Sequence, residues 1–412
     1  MEQCGFFFFS FLIPYVTVQL LGASKIELGI SFAIQTIGGL ISAPIVGYLT
    51  DRVSRKLLIL IGSFGRAACY ILMFSGIILS SLLIFTIGMF VLGFFAGFFW
   101  TPLDTLISEK SNKTNRSFAF GKRGRMIGIG NLVGSAISFT IFGLSNIFIP
   151  ENLFLVYSPL LLFAISNLFG GFTFHFKVDE KVTFDKHIFN LFPSTVEPNV
   201  VSNEPVISDT PMKSRKNLAI GFFIDFIVLI FAFMTSNINS SLASPFFQVY
   251  LIEELKILEP TIVMLIYFPS QIISRFIAPK IGKIADKINP VLGVAIVSSL
   301  GAFATLLLIN STSGYMFAIF LLLDSTFGWG GGLILQNILS RISKIHRGKV
   351  FAAAEWLSLF GAVLGPIIGG FAYDSIGAFA PFAISIIIEL SVIPLYAIAI
   401  KKLKPFMAEK VD

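Results

Sequence analysis

Four carboxylate side chains fall inside long apolar stretches in the second half of the chain: Asp225, Asp324, Glu355 and Glu389. A charge at the middle of a lipid bilayer costs about 2.5–3.5 kcal/mol. Each of these groups must therefore be neutral, paired with another group, or exposed to a water-filled space. A carboxylate held in this way is suited to binding a proton or a cation. Glu355 lies close enough to the end of its stretch to be an interfacial group.

One basic side chain, Arg66, lies deep inside an apolar stretch of the first half. A buried guanidinium requires either a partner or an anionic substrate. Neutral amides in the same stretches are candidates for hydrogen bonds to a solute: Gln35, Asn131, Asn237, Asn239 and Gln248. This mixture of groups suits a cation, a zwitterion or a sugar. No nucleophile–base set, metal-ligand spacing or P-loop accompanies it, so we expect neither an enzyme nor a bound metal or cofactor.

The elements that carry these residues must be membrane helices. Of the 412 residues, 55% are hydrophobic and 13% are charged, whereas a soluble domain has about 25% charged residues. Twelve apolar runs are long enough to cross a bilayer. They cover residues 3–22, 28–49, 57–78, 82–103, 122–146, 153–176, 217–250, 260–281, 291–310, 314–338, 349–373 and 377–400.

The spacing of these runs predicts two halves, 1–176 and 217–401. Residues 177–216 between the halves are rich in Lys, Asp, Glu, Ser, Pro and Asn. Such a composition predicts a linker without regular structure. We place this linker and the tail, 402–412, in the cytoplasm.

A repeated segment relates the two halves. Ala43, Pro44, Gly47 and Asp51 recur as Ala278, Pro279, Gly282 and Asp286, each 235 positions later. Pro14 recurs as Pro245, 231 positions later. Few residues precede Pro14, so we expect the first helix to be shortened or to begin upstream. Internal duplication is typical of membrane transporters. The sequence therefore predicts an all-α integral membrane protein with twelve transmembrane helices in two pseudo-symmetric six-helix bundles.

Basic residues set the expected orientation. If both termini are cytoplasmic, 26 of the 30 Lys and Arg residues fall in cytoplasmic segments, as the positive-inside rule requires. Lys25 and Lys256 then lie outside. The net charge of +7 is spread over short loops and forms no basic face, which argues against a nucleic-acid partner.

Residues 47–56 read G-Y-L-T-D-R-V-S-R-K, which resembles the loop signature of the major facilitator superfamily, G-x-L-a-D-r-x-G-r-k. The twelve runs, the linker and the parallel repeat extend this resemblance over nearly the whole chain. It implies a conformational latch in which Asp51 faces the N-terminus of the eleventh helix. The expected latch residues are Gly47, Asp51, Arg52, Arg55 and Lys56, with Asp286 and Lys287 from the weaker second copy.

A glycine-rich stretch matches the antiporter signature of that superfamily, but in the eleventh helix rather than the fifth. We expect its residues to serve as a packing surface or hinge: Gly361, Gly365, Pro366, Gly369 and Gly370. In the fourth helix, Met89 stands where the superfamily often has an arginine linked to proton coupling.

The resemblance implies a secondary transporter of a small solute, working by alternating access. We expect it to be a monomer in the lipid bilayer of the cell membrane. The buried carboxylates favour proton coupling. A uniporter of the same fold and a non-transporting membrane receptor are the open alternatives.

Overall fold

The structure is a computed structural model that describes residues 6–50, 52–110, 116–178, 212–285, 289–342 and 347–403. All its elements in these ranges are helical. They are α1 Phe6–Pro14, α2 Lys25–Thr50, α3 Arg55–Ile78, α4 Leu82–Lys110, α5 Arg116–Phe148, α6 Leu153–Val156, α7 Pro159–Lys177, α8 Met212–Ala243, α9 Phe247–Glu253, α10 Pro260–Ala285, α11 Pro290–Ile309, α12 Gly314–Ile342, α13 Arg347–Ser375 and α14 Ala380–Leu403.

These helices account for the twelve predicted runs. In the first half α1 to α5 and α7 correspond to the runs, and in the second half α8 continues into α9 and α10 to α14 follow. Within the described residues, nine helices are long and apolar enough to cross a membrane, and two shorter apolar helices accompany them. The prediction of an all-α membrane protein is therefore confirmed.

Two prolines mark irregular helix geometry at equivalent places in the halves. Pro14 ends α1, and a π-helical stretch, Tyr15–Leu20, follows it directly. Pro245 lies in a 3₁₀ turn, Ser244–Phe246, between α8 and α9. Proline lacks the N–H that would continue the α-helical hydrogen bonds, which explains the break at the second site. The two prolines that the sequence repeat pairs therefore both lie where regular α-helix is interrupted.

Several helices extend beyond their apolar runs. The run that ends at residue 103 continues as helix to Lys110, and α5 begins at Arg116, before its run. A helix of this length exceeds the hydrocarbon core of a bilayer, about 30 Å, because each residue adds about 1.5 Å. Hydropathy finds the part of a helix that lies in lipid, whereas the hydrogen-bonded helix continues into water.

Close helix contacts hold the first half together. Here α4 packs against both α2 and α3, and Gly62 of α3 lies against the backbone of Phe99. Aromatic rings fill the space between α1, α5 and α7: the ring centroid of Phe8 lies 5.1 Å from that of Phe139 and 6.0 Å from that of Phe163. Van der Waals packing of this kind holds membrane helices together, because lipid leaves no hydrophobic driving force between them.

In the second half, α13 packs against α8 through a line of glycines. A Cβ atom on Gly361 would lie 2.5 Å from the Met234 carbonyl oxygen, and one on Gly369 would collide with the Leu242 carbonyl. Gly365 lies between them on the same face. Because any side chain would push the two helices apart, glycine permits this backbone contact.

Candidate functional site

The two ends of the molecule differ, and we name them by their residues. At the Lys25 end, α2 begins at Lys25 and α13 ends at Ser375. At the Arg55 end, α2 ends at Thr50 and α3 begins at Arg55.

A charged cluster joins the two halves at the Lys25 end. The Lys25 ammonium of α2 lies 2.7 Å from the Glu253 carboxylate at the end of α9. The Tyr373 hydroxyl of α13 donates to the same carboxylate over 3.0 Å, and the Lys25 nitrogen lies 5.7 Å from the Tyr373 ring centroid. Three helices from both halves therefore meet at one carboxylate.

A second carboxylate at this end caps a helix of the opposite half. Asp374 of α13 accepts hydrogen bonds from the first backbone N–H groups of α2, over 2.9 Å from Ile26 and 3.4 Å from Lys25. The N-terminus of a helix carries unpaired N–H groups and partial positive charge, so a carboxylate there contributes about 0.3–2 kcal/mol.

The backbones of α2 and α13 also touch at the Lys25 end. A Cβ atom on Gly29 would collide with the Pro366 carbonyl, and one on Gly370 would collide with the Lys25 carbonyl. Neither carbonyl can move without moving its helix. Pro366 and Gly370, predicted as packing or hinge residues, thus lie at the contact between the halves, whereas Gly361, Gly365 and Gly369 face α8.

The same face of α2 is uncovered toward the Arg55 end. Gly29 and Ala43 lie 14 residues apart, close to a whole number of helical turns, and so share one face. Gly29 is buried against α13, whereas Ala43 is exposed. Among the described residues, no atom lies within 4 Å of a Cβ built on Gly47, one turn further on, or on Gly128 of α5 and Gly332 of α12. Among the described residues, the backbone contacts between α2 and α13 therefore lie at the Lys25 end.

The predicted latch loop lies at the Arg55 end. Gly47 is exposed, and the Arg52 guanidinium stacks 3.5 Å from the ring centroid of Tyr48. Arg55 opens α3 and is buried, and Lys56 is half-buried. The other expected latch residues, Asp51, Asp286 and Lys287, lie outside the described residues, so the contact between Asp51 and the start of α13 stays a prediction.

Two of the four predicted carboxylates come together in the second half. Asp324 of α12 accepts a hydrogen bond from the Thr305 hydroxyl of α11 over 2.7 Å. Glu389 of α14 lies beside Asn239 of α8, and the Ser385 hydroxyl donates to the Asn239 amide oxygen over 2.7 Å. Four helices thus contribute polar groups to one cluster inside the bundle, which we call the carboxyl cluster: Asn239, Thr305, Asp324, Ser385 and Glu389.

The two carboxyls of this cluster are close enough to repel each other when both are ionised. Gly301 of α11 makes room for one of them, because a Cβ atom there would collide with the Glu389 carboxyl oxygen. A single bound proton would remove the repulsion between Asp324 and Glu389.

Arg66 lies in a cationic and aromatic cluster in the first half. It is 5% exposed, and its guanidinium carbon lies 5.5 Å and 5.8 Å from the ring centroids of Phe99 and Trp100 on α4. The guanidinium of Arg123 on α5 lies 5.1 Å from the same Trp100 ring and 2.6 Å from the Asp104 carboxylate. Both cations are within the range of a favourable interaction with the indole.

The candidate amides have different surroundings. Asn237 donates to the Phe233 carbonyl and the Ser358 hydroxyl, each over 3.0 Å, which ties α8 to α13. Gln248 donates to the Ser10 carbonyl of α1 over 3.2 Å, across the boundary between the halves. Asn131 is fully buried on α5 and Gln35 is half-buried on α2. Asn239 alone among the five belongs to the carboxyl cluster.

Two further predicted residues, Asp225 and Glu355, lie on α8 and α13, but their side chains are outside the described part of the chain. Reasoning from the sequence missed Lys25, Glu253, Asp374, Asp104 and Arg123 as site residues. All five lie near the ends of apolar runs, where charges are ordinary, so no local pattern distinguishes them.

The chain is similar to known proteins both in sequence and in fold. The sequence model of the Major Facilitator Superfamily matches residues 1–345. A solved bacterial homologue of the human lysosomal transporter Spinster, in an inward-facing and occupied conformation, is similar with a TM-score of 0.69 and 12% identity, over 99% of this chain and 96% of that one. No curated protein sequence is significantly similar to this chain.

Other solved structures share the fold. A bacterial homologue of the iron transporter ferroportin, in an inward-facing state, has a TM-score of 0.69 and 10% identity, over 98% of this chain and 96% of that one. The nucleoside transporter NupG, solved as a point mutant, has a TM-score of 0.67 and 12% identity, over 96% of this chain and 98% of that one. At these identities the likeness shows the fold alone. Because the family match spans most of its length, the chain belongs to the Major Facilitator Superfamily of membrane transporters.

Proposed function

We propose that this protein is a secondary transporter that moves a small solute by alternating access between its two halves. Membrane transport follows from the superfamily, and the mechanism is supported by the unequal contact between the halves. One face of α2 is buried at Gly29 and exposed at Ala43. This single observation carries the proposal, because a helix face that is buried at one end and exposed at the other is expected of two halves that part at one end at a time.

The open end is proposed to face the cytoplasm. The basic loops lie at the Arg55 end, and the positive-inside rule assigns that end to the cytoplasmic side. The conformation would then be inward-facing, and both termini would be cytoplasmic. Two of the similar structures were solved in inward-facing states, which agrees with this assignment.

Each helix of the α2–α13 pair would carry a carboxylate that caps the other. Asp374, near the end of α13, caps the start of α2 at the Lys25 end. Asp51 directly follows α2 in the sequence, and the family resemblance implies that it faces the start of α13. We propose that these two contacts alternate, one holding each end closed.

Distance measurements with pairs of spin labels test this mechanism. One pair, E151C and T312C, reports on the Lys25 end, and another, K177C and K401C, reports on the Arg55 end. All four positions are exposed, and the labels go into protein whose Cys4 and Cys69 are replaced by alanine. We expect two populations in lipid nanodiscs, in which one distance lengthens as the other shortens. A single unchanging distance at both ends would rule out alternating access.

Coupling to protons is the second part of the proposal, and the carboxyl cluster supports it. An ionised carboxyl inside the bilayer is costly unless it is compensated, and Asp324 and Glu389 also repel each other. Proton binding would neutralise the pair. Because α11, α12 and α14 all contribute to the cluster, the change in charge would act on helix packing within the second half.

Proteoliposomes loaded with a pH-sensitive dye test coupling for each candidate solute in turn. Addition of a transported solute outside the vesicles should acidify the interior if the solute and a proton move together. A uniporter would move radiolabelled solute with no change in internal pH. A receptor would bind the solute and show no flux at all.

A further inference from the structure

We infer that the transported solute carries a hydroxyl group, which binds between Thr17 and Gln248 at the boundary of the two halves. This inference rests on the proposed transport function and names the chemical class of the solute. Thr17 lies in the π-helical stretch Tyr15–Leu20 of the first half, and Gln248 lies in α9 of the second half.

The internal repeat pairs these two residues. The offset of 231 positions that relates Pro14 to Pro245 also relates Thr17 to Gln248, so each residue lies three positions after its proline. Regular α-helix is interrupted at both places. In transporters built from repeats, hydrophobic segments interrupted at corresponding positions of the two halves are the best indication of a binding site.

Both residues are buried and have a side-chain oxygen without a hydrogen-bond partner in the described part of the chain. Thr17 is 0% exposed and Gln248 is 1% exposed. The free atoms are Oγ1 of Thr17 and Oε1 of Gln248. Because nearly all buried polar groups of native proteins are hydrogen-bonded, these two oxygens require a further polar group, from a ligand or from water.

The backbone explains why the Thr17 hydroxyl is free. On regular helix, the hydroxyls of Thr50 and Thr140 donate to the carbonyl four residues earlier. Beside Thr17 the helix has π geometry, in which the Leu21 N–H donates to the Val16 carbonyl, five residues earlier, over 2.9 Å. We attribute the missing hydroxyl bond to this change of register. Single π-helical turns are frequent at functional sites.

The amide of Gln248 is oriented by the opposite half. Its Nε2 donates to the Ser10 carbonyl of α1 over 3.2 Å, so the amide oxygen is the atom that is left free. The helix α9 contacts both α1 and the π-helical stretch. The two free oxygens therefore belong to elements that touch each other across the boundary between the halves.

The two free atoms favour a hydroxyl as the ligand group. An amide oxygen only accepts hydrogen bonds, whereas a threonine hydroxyl both donates and accepts. A solute hydroxyl can donate to Gln248 and accept from Thr17, but an ammonium group has no lone pair and would bring a charge into the bilayer. The adjacent residues Val16, Phe247 and Val249 are buried and apolar, and hydrogen bonds are stronger in such surroundings.

Access to these oxygens requires the two halves to part. Gln248 lies five positions before Glu253, the partner of Lys25, so it belongs to the end where the halves are in contact. If the halves alternate as proposed, opening of the Lys25 end breaks the hydrogen bond from Gln248 to Ser10 and exposes Gln248 and Thr17 to water. A solute hydroxyl that binds there would keep both oxygens paired when the halves close again.

Thermal-shift titrations of the purified full-length protein test the inference with compounds that share one ring. Vicinal cyclohexanediol carries hydroxyls, its dimethyl ether keeps the oxygens but has no hydrogen to donate, and vicinal diaminocyclohexane carries an ammonium group. Inositol supplies a fully hydroxylated ring of the same size. We expect the diol and inositol to raise the melting temperature, since a ligand of the folded protein stabilises it. The ether and the diamine should not.

The variants T17V and Q248M remove the free oxygens. Each should weaken binding of the diol or inositol by about 3–10-fold, the effect of losing one uncharged hydrogen bond. T17S keeps a hydroxyl and should bind as wild type does. The matched control is T140V, the same change at a hydroxyl that is already bonded within its helix, and it should leave binding unchanged.

Two further measurements separate a binding site from a structural role. Without any probe, T17V should melt no lower than wild type, because it removes a buried polar atom that has no partner. If one solute hydroxyl contacts both residues, the loss of binding in the double variant should be smaller than the sum of the two single losses. A marked fall in the melting temperature of T17V, or strictly additive losses, would overturn a shared hydroxyl site.

The outcomes also separate this inference from the proposed function. Uptake of a solute without hydroxyls that is unchanged in T17V and Q248M would overturn the hydroxyl class and leave transport intact. Binding of the diol or inositol that depends on both residues, without flux in liposomes, would keep the site and overturn transport. Stabilisation that is absent, that is equal for diol, ether and diamine, or that is unchanged in both variants would leave the free oxygens to bound water and overturn the inference.

Discussion

The Asp374 carboxylate of α13 lies 2.9 Å from the backbone nitrogen of Ile26, in the first turn of a helix from the other half. If the halves alternate as proposed, this hydrogen bond breaks when the Lys25 end opens, because it joins a helix of one half to a helix of the other. Its strength would then contribute directly to the balance between the two conformations.

Substitution of Asp374 should favour opening at the Lys25 end. D374N keeps the size of the side chain but removes the charge that interacts with the α2 dipole, about 1 kcal/mol in this setting. We expect about a fivefold increase in the population with a long E151C–T312C distance. The matched control is E27Q, which alters an acid within the same first turn of α2 without touching α13. An unchanged distribution of E151C–T312C distances in D374N would show that the Asp374 cap has no part in closure of the Lys25 end.

The ion pair between Lys25 and Glu253 should respond to salt. Both side chains are partly exposed, 21% and 30%, so added salt screens their attraction. We expect the population with a short E151C–T312C distance to fall when the NaCl concentration is raised about 10-fold from a low-salt buffer. In K25Q this population should fall less. A salt effect of equal size in wild type and K25Q would assign it to other charges.

A side chain at Gly29 should prevent full closure of the Lys25 end. In G29A the new methyl group would collide with the Pro366 carbonyl, which is fixed in its helix. We expect a lower rate of transport and a longer E151C–T312C distance. G39A is the matched control on the same helix, because its methyl group would lie 3.7 Å from the nearest atom, an ordinary contact. Equal transport rates and equal E151C–T312C distances in G29A and G39A would argue against a tight contact between Gly29 and Pro366.

Neutralisation of Glu389 should separate solute movement from proton movement. Because glutamine resembles the protonated carboxyl, E389Q should exchange labelled solute across the membrane but no longer accumulate it against a pH gradient. E151Q, at an exposed site, should behave as wild type. Uptake by E389Q that still follows the pH gradient would exclude Glu389 as the coupling group.

The neighbour of that carboxyl offers an independent test. G301A would force the Glu389 carboxyl from its position, whereas in G293A, on the same helix, the methyl group would meet only the flexible end of Ile334 at 3.3 Å. We expect G301A to lose most proton-driven accumulation and G293A to retain it. The comparison is made by the initial rate of uptake in proteoliposomes with an imposed pH gradient.

How far the sequence predicts this protein depends on the type of contact. Helix number and depth follow from hydropathy, so Asp324 and Glu389 could be placed inside the membrane. Their meeting with Asn239 could not, because it depends on how four helices pack. Lys25 and Asp374, which are in contact at the Lys25 end, lie 349 positions apart in the sequence. Each lies at the end of a helix, where charged residues are common. Only tertiary structure brings them together.

The segregation of buried charge has an energetic consequence for the living cell. Arg66 and Arg123 belong to α3 and α5 of the first half, and the carboxyls Asp324 and Glu389 belong to α12 and α14 of the second half. A proton bound at the carboxyl cluster during a crossing would carry one positive charge through the membrane unless the solute carries a compensating negative charge. An imposed potassium diffusion potential, negative inside, should then raise the rate of transport of a neutral solute and leave that of a monovalent anion unchanged.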